Sequence, residues 1–300
     1  MIAEHDSFKS GFIAIIGAPN VGKSTLLNQI IGEKIAIISP KPQTTRNRIL
    51  GVKSTPEYQM IFLDTPGIHQ AQGKLNVAMV RTALATLATV DVVLFLIEAQ
   101  TPDRRGNQHV IHNLRKVETP VILVVNKVDL ASDKSFTNII ASYESQYSFA
   151  ASASISALHG TGVADLLSQI TELLPHGPAY YPEDTLTDLP ERFLCAEIIR
   201  EKIMHLTSEE IPYAVAVTIG SFKEDESKNL IRIQADIHVE RVSQKGIIIG
   251  KKGGMLREIG RQARLDMEKL LGARVFLELW VRVQKKWRKD PRALKEFGYQ

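Results

Sequence analysis

Three hundred residues, 44% hydrophobic and 23% charged, suit a globular chain of about two domains at roughly 100–200 residues each. A single cysteine, Cys195, excludes an intrachain disulfide and fits a reducing compartment, and no apolar run approaches the ~18 residues of a membrane-spanning helix. The net charge of +4 hides an asymmetry: residues 241–300 hold 16 Lys and Arg against 6 Asp and Glu, whereas residues 1–190 hold 15 against 17, so the C-terminal part is expected to meet a polyanion, either nucleic acid or an acidic membrane surface.

In chain order, Phe12–Ile16 reads as a short buried strand and Ser24–Ile31 as a helix with an apolar face. Between them, Gly17-Ala18-Pro19-Asn20-Val21-Gly22-Lys23-Ser24 matches G-x-x-x-x-G-K-[ST], the phosphate-cradling P-loop. A strand that turns tightly into a helix N-terminus presents backbone N–H groups and the positive end of the dipole to an anion. Lys23 can reach the β- and γ-phosphates and the Ser24 hydroxyl can ligate Mg²⁺. Gly17, Asn20, Gly22 and Thr25 complete the candidate phosphate site. Gln43-Thr44-Thr45-Arg46 lies between helix and strand, where a threonine hydroxyl could complete the Mg²⁺ shell; Thr45, directly before the arginine, is preferred to Thr44.

Strands are expected at Arg48–Lys53 and Tyr58–Leu63, the second ending in Asp64-Thr65-Pro66-Gly67. Asp64 is placed to hold Mg²⁺ through water. The Gly67 N–H could meet the γ-phosphate, so that loss of that phosphate frees the following loop. A helix over Lys74–Ala88, a strand over Val92–Ile97, a helix over Arg105–Lys116 and a strand over Val121–Asn126 lead to Asn126-Lys127-Val128-Asp129. Ligands of open α/β sheets bind beyond the carboxyl ends of the strands, so this loop is expected to face the same crevice as the P-loop. A carboxylate at Asp129 can accept from N1–H and the 2-amino group of guanine, whereas adenine would leave it unpaired. A helix over Ser135–Ser145 and a strand over Tyr147–Ser152 precede Ser156-Ala157-Leu158, whose N–H groups could contact guanine O6; a helix over Val163–Leu173 ends this part.

With these segments in order, residues 1–175 resemble a translation-factor-type P-loop GTPase, with an α/β fold of mostly parallel strands and helices on both faces. The resemblance implies GTP and GDP as ligands, Mg²⁺ at Ser24, Thr45 and Asp64, guanine reading by Asn126, Lys127 and Asp129 with Ser156 and Ala157, and catalysis through Lys23, Thr45 and Gly67. One position departs from the pattern: many GTPases carry a water-orienting glutamine after the glycine of D-x-x-G, and here Ile68 stands there. Slow intrinsic hydrolysis is expected. With Asn20 in the P-loop, K⁺ is a candidate for an additional positive charge.

Three prolines and a glycine between Leu174 and Pro182 stop any helix, and residues 176–190 read as a linker. Residues 191–300 then follow the order helix (Glu191–His205), strands (Ala214–Phe222 and Leu230–Glu240, around a charged turn at Lys223–Lys228), apolar run, Gly250-Lys251-Lys252-Gly253, helix (from Met255), strand (Ala273–Val283). Small residues there admit a nucleic-acid backbone, and the helix N-terminus and the lysines meet phosphate. Arg257, Arg261 and Arg264 share a face of the following helix, and Trp287 sits within the basic Lys285–Lys289 run, either anchoring it or stacking on bases.

This order resembles an α+β type II KH domain, and the two parts together resemble the bacterial Era GTPase family. That resemblance implies a monomeric, cytoplasmic switch, able to associate peripherally with the inner membrane. It implies binding of small-subunit ribosomal RNA near its 3′ end through Gly250, Lys251, Lys252, Gly253 and Arg257, and action in 30S subunit assembly. The alternative from another class is a membrane-surface signalling GTPase with the basic end as an acidic-lipid anchor.

Overall fold

Strand β1 (Lys9–Gly17) is fully shielded from Ile13 to Ile16, each at 0% exposure, and so takes the centre of a sheet. In this computed structural model, which describes residues 7–67, 74–100, 104–131 and 133–299, the chain divides into two compact units. The first comprises Met1–Ala36, Thr45–Gln72 and Asn76–Asp188; the second comprises Ile37–Thr44, Gly73–Leu75 and Leu189–Gln300.

In the first unit, β1 leads through a glycine turn to α1 (Lys23–Ile31), β2 (Ile49–Ser54), β3 (Tyr58–Asp64), α2 (Lys74–Leu87), β4 (Val92–Glu98), α3 (Arg104–Leu114), β5 (Val121–Asn126), α4 (Asp133–Glu144), β6 (Ala151–Ile155) and α5 (Val163–Leu173). The sheet order is β2-β3-β1-β4-β5-β6, parallel throughout except for the β2–β3 pair. Residues Val92–Ile97 of β4 are all at 0% exposure, as expected of a parallel strand covered on both faces. The strand order reverses at β1, whose neighbours are β3 and β4, and ligand crevices of open α/β sheets form at such a reversal.

Two sequence expectations shift. The last strand lies at Ala151–Ile155, not Tyr147–Ser152, because the aromatic run spends itself on packing: Tyr147 and Phe149 rings lie 4.9 Å apart, and Phe149 stacks 6.3 Å from Phe95. The segment read as a linker is bonded along the first unit as far as Asp188. Gln59 accepts from the Tyr180 and Tyr181 amides and donates to the Tyr181 carbonyl, Val52 N–H donates to Leu186, and Thr187 donates to Leu50. Proline, lacking an N–H, is tolerated in such an edge-lying strap.

The second unit is built from α6 (Glu191–Leu206), α7 (Ile211–Ala214), β7 (Ala216–Asp225), β8 (Leu230–Val239), α8 (Val242–Ile249), α9 (Gly254–Leu271), β9 (Arg274–Val283) and α10 (Pro291–Glu296). Strand β8 pairs antiparallel with β7 and parallel with β9, and α6, α8 and α9 contribute apolar residues to one core with the sheet. The expected turn at Lys223–Lys228 is shorter than read, since β7 continues to Asp225 and the reversal closes at Asn229, which adopts a left-handed conformation with φ 46°. Helix α6 differs from a simple amphipathic surface helix. Arg200, Glu201 and Lys202 are all buried on it, held through Arg200–Glu197, Lys202–Glu201 and Lys202–Asp266 ion pairs. Trp287 is at 0% exposure, and its Nε1–H donates to the Ala214 carbonyl at 3.0 Å; of its two expected roles it takes the anchor.

Candidate nucleotide site and nucleic-acid interface

The P-loop residues end β1 and open α1. Gly22 caps α1 at φ 98°, and a Cβ there would stand 2.2 Å from Asn126 Nδ2, so only glycine fits both the conformation and the space. Lys23 is buried, and its Nζ donates to the carbonyls of Ala18 (2.9 Å) and Gly17 (3.3 Å). Burial pulls its pKa down to about 8, against the opposing attraction of Asp64. Asn20 is exposed in a left-handed turn at φ 65°, and Thr25 is half-buried on α1.

Three polar side chains from three segments converge beside this loop. Ser24 Oγ donates to Asp64 Oδ2 at 2.6 Å, Thr45 Oγ1 donates to the same oxygen at 3.3 Å, and the two hydroxyls are 2.8 Å apart. Asp64 is at 0% exposure; burial pushes its carboxyl up to about 6, while Lys23, Ser24 and Thr45 pull the other way. Its second oxygen, Oδ1, is buried with no hydrogen-bond partner among the described residues. An orphaned carboxylate oxygen with two hydroxyls around one point suits a hard divalent cation such as Mg²⁺, which takes oxygen ligands. Thr44 turns away, donating to the Lys41 carbonyl at 2.7 Å. Gly67 lies against the P-loop, where a Cβ would sit 2.9 Å from Pro19 N. Ile68, the position of the missing glutamine, falls outside the described residues.

The Asn126-Lys127-Val128-Asp129 segment leaves β5 in the same crevice. Asn126 Nδ2 donates to the Val21 carbonyl at 2.8 Å and Oδ1 accepts from Ala157 N–H at 2.9 Å, so one side chain ties the P-loop to the segment after β6. Ser156 N–H donates to Thr161 at 3.0 Å. Two of the amides expected at guanine O6 are therefore engaged in bracing the loop. Lys127, left-handed at φ 64°, pairs with Glu98 at 3.2 Å, and the Asp129 carboxylate is exposed. Spacing alone signalled neither the Asn126 tie nor its partners, because Val21 and Ala157 contribute only main-chain atoms.

In the second unit, Gly250 is at φ 71°, where an added Cβ would lie 2.6 Å from Met255 Cβ, so the turn before α9 requires glycine. Lys251 and Lys252 are exposed at the turn, and Gly253, left-handed at φ 75°, leads into α9. Beside it runs a cleft of about 450 Å³ between α9 and β9, lined by Gly253, Leu256, Arg257, Gly260, Arg261, Arg264, Leu277 and Leu279. The apolar floor comes from leucines and the rim from arginines. Arg261 pairs with Glu258 and Arg264 with Glu268, whereas Arg257 is exposed with no ion-pair partner among the described residues. The leucine floor and Gly260, whose Cβ would meet Leu279 at 3.3 Å, were not singled out from sequence. For Leu277 and Leu279 the available signal was the alternation of apolar residues on β9.

A P-loop sheet with guanine-type loops, followed by a three-stranded sheet with a glycine–lysine–lysine–glycine turn, defines a class: a GTPase unit joined to a KH unit. The sequence matches the family described as 50S ribosome-binding GTPase over residues 12–127 and the KH domain over residues 210–288. It is 56% identical over 292 residues to GTPase Era of Syntrophus aciditrophicus, covering 97% of this chain and 95% of that protein. It is 55% identical to GTPase Era of Geobacter metallireducens, covering 97% and 98%. Among solved structures it is similar to a single-residue variant of Aquifex aeolicus Era bound to GDP·AlF4⁻, at TM-score 0.94 and 44% identity over 97% of this chain and 99% of that one. The same values hold for Era in complex with MgGDPNP and nucleotides 1506–1542 of 16S ribosomal RNA. The chain belongs to the Era GTPase family. It is a GTPase with a C-terminal KH domain.

Proposed function

We propose that this protein is a GTP-driven switch that binds small-subunit ribosomal RNA near its 3′ end and acts in 30S subunit assembly. The likeness to the Era complex with 16S ribosomal RNA nucleotides carries the reading, because it extends over 97% of the chain and includes the KH unit. In functional terms, residues 1–175 form the GTPase domain, 176–190 the connection and 191–300 the RNA-binding domain.

At the nucleotide, Gly17, Asn20, Gly22 and Thr25 cradle phosphate, and Lys23 offsets the charge that builds on the γ-phosphoryl oxygens during transfer. Bound Mg²⁺, held by Ser24, Thr45 and Asp64, would neutralise phosphate charge. Gly67 N–H meets the γ-phosphate and reports its loss. Asp129 reads guanine, with Lys127 over the base and the Asn126–Ser156–Ala157 brace holding the pocket. K⁺ near Asn20 adds positive charge, which a comparison of rates in matched Na⁺ and K⁺ buffers checks. At the RNA, Gly250 and Gly253 admit the backbone, Lys251, Lys252 and Arg257 meet phosphates, and the leucine-floored cleft takes unstacked bases.

The protein acts in the cytoplasm as a monomer, with a peripheral encounter with acidic membrane as a secondary property. No helix of the described residues is long and apolar enough to cross a membrane. An RNA matching the 3′ end of small-subunit ribosomal RNA should bind well above a scrambled control, and a Gly250→Asp/Gly253→Asp variant should lose that preference. Binding indifferent to RNA sequence and to the variant, together with sedimentation on anionic vesicles, would favour the membrane-surface alternative.

A further inference from the structure

Strand β9 lies at the edge of the second sheet and presents two different faces. Alternation turns Leu277 and Leu279 into the cleft beside α9, and turns Arg274, Phe276, Glu278, Trp280 and Arg282 to the opposite side of the sheet. On that side Arg232 of β8 stands in register with Phe276, and its guanidinium lies 5.3 Å from the ring centroid. The carboxylates among these residues are engaged: Asp236 accepts from Arg282 at 2.7 Å, and Glu278 accepts from Gln234 Nε2 at 2.9 Å. Arg232 and Arg274 are exposed, with no ion-pair partner among the described residues. Phe297 covers one end of this face at His238, with ring centroids 4.4 Å apart, while Phe276 and Trp280 remain 47% and 60% exposed.

Two large aromatic rings left open on an edge strand invite aggregation unless something occupies them. Their setting selects the occupant. The rings are interleaved with arginines, the combination that receives single-stranded nucleic acid by base stacking and phosphate contact. They also share a strand with the floor of the cleft: Phe276 precedes Leu277 and Trp280 follows Leu279. An RNA strand that leaves the cleft over the free edge of β9 therefore meets this face next. We propose that the open face of the second sheet, centred on Phe276 and Trp280, is a further RNA-binding surface, where bases beyond those held in the cleft stack without regard to sequence. The two residues are four positions apart, about 13 Å along the strand, so each ring takes its own base. The cleft supplies sequence preference. The aromatic face supplies affinity that grows with RNA length, because every base has a π-face to stack. The proposal rests on the reading of the cleft as an RNA site.

Fluorescence anisotropy on the full chain tests it with two kinds of RNA. One is a short RNA matching the 3′ end of small-subunit ribosomal RNA, just long enough to fill the cleft; the others extend it by about six nucleotides at either end. Extension at one end should tighten binding about tenfold, with native and scrambled additions alike, whereas an abasic addition should give little. Trp280→Thr, which keeps a strand-forming residue on the exposed face, should erase that gain and leave the affinity for the short RNA unchanged; Trp280→Phe should retain most of it. Trp287 is buried, so quenching of tryptophan emission should arise at Trp280, accompany the extended RNA and vanish in Trp280→Phe. Should Trp280→Thr fail to fold, Phe276→Thr and the emission of the unaltered chain decide the matter. Binding of the short RNA that is lost in Gly250→Asp/Gly253→Asp, with neither extension tightening binding nor quenching emission, overturns this inference alone. So does an extension gain that survives Trp280→Thr. Self-association abolished by Trp280→Thr, with no extension gain, would instead assign the face to a second copy of the chain. Absence of binding at every RNA length overturns the cleft reading as well.

Discussion

In the proposed function Asp129 carries the base discrimination: the residue is exposed beyond β5, where a guanine edge would present two donors. Asp129→Asn replaces an acceptor with a group that sets a donor against one of them. GTP affinity should fall by about 1–3 kcal/mol, roughly 5- to 150-fold, while α1 and the sheet stay intact; titration with a fluorescent GTP analogue reads it. An unchanged affinity would remove Asp129 from the guanine site. The residue scale is also where the sequence was most legible. Gly22, Lys23 and Ser24 sit at the turn from β1 into α1 that the motif spacing implied, and Asp64 and Asn126 end β3 and β5 in the same crevice. The Thr44 and Thr45 alternatives separate only in three dimensions, one hydroxyl closing its own turn and the other meeting Ser24.

Among the elements, the C-terminal segment after β9 holds the second unit closed. Trp287 fills the space against Phe297 and Tyr299, with ring centroids at 5.3 and 5.8 Å, and donates to Ala214. Trp287→Ala should destabilise this unit by about 3–5 kcal/mol. Trp287→Phe, which leaves the Ala214 carbonyl unpaired, should destabilise it by about 1–3 kcal/mol. Urea unfolding followed by circular dichroism checks both; wild-type midpoints would place the tryptophan outside the core. Sequence reading missed the short helices α7, α8 and α10 and misplaced the last strand of the first unit, where local propensity was outcompeted by tertiary demand. Tyr147 and Phe149 look like strand residues but pack as loop aromatics, and the modest Ala-Ser-Ala-Ser run pairs with β5 because its carboxyl end must deliver Ser156. The buried charges of α6 were illegible because, apart from the local Arg200–Glu197 and Lys202–Glu201 pairs, their partners lie far along the chain, at Asp266, the Ile38 N–H and the Thr44 carbonyl.

At the scale of the whole molecule, one chain carries a neutral-to-acidic nucleotide unit and a basic RNA-binding end, so affinity for RNA should fall steeply with salt as phosphate contacts release counterions. A switch requires more than two sites on one chain; it requires that the nucleotide change the RNA affinity. That coupling is reciprocal, so RNA would change the preference for triphosphate by the same factor. The most direct measurement is fluorescence-anisotropy binding of an RNA matching the 3′ end of small-subunit ribosomal RNA. It is made at one salt concentration to protein loaded with a non-hydrolysable GTP analogue and to protein loaded with GDP. Binding about fivefold or more tighter with the GTP analogue is expected. Equal affinities in the two states would contradict a nucleotide-driven RNA switch, leaving a GTPase and an RNA-binding domain that merely share a chain.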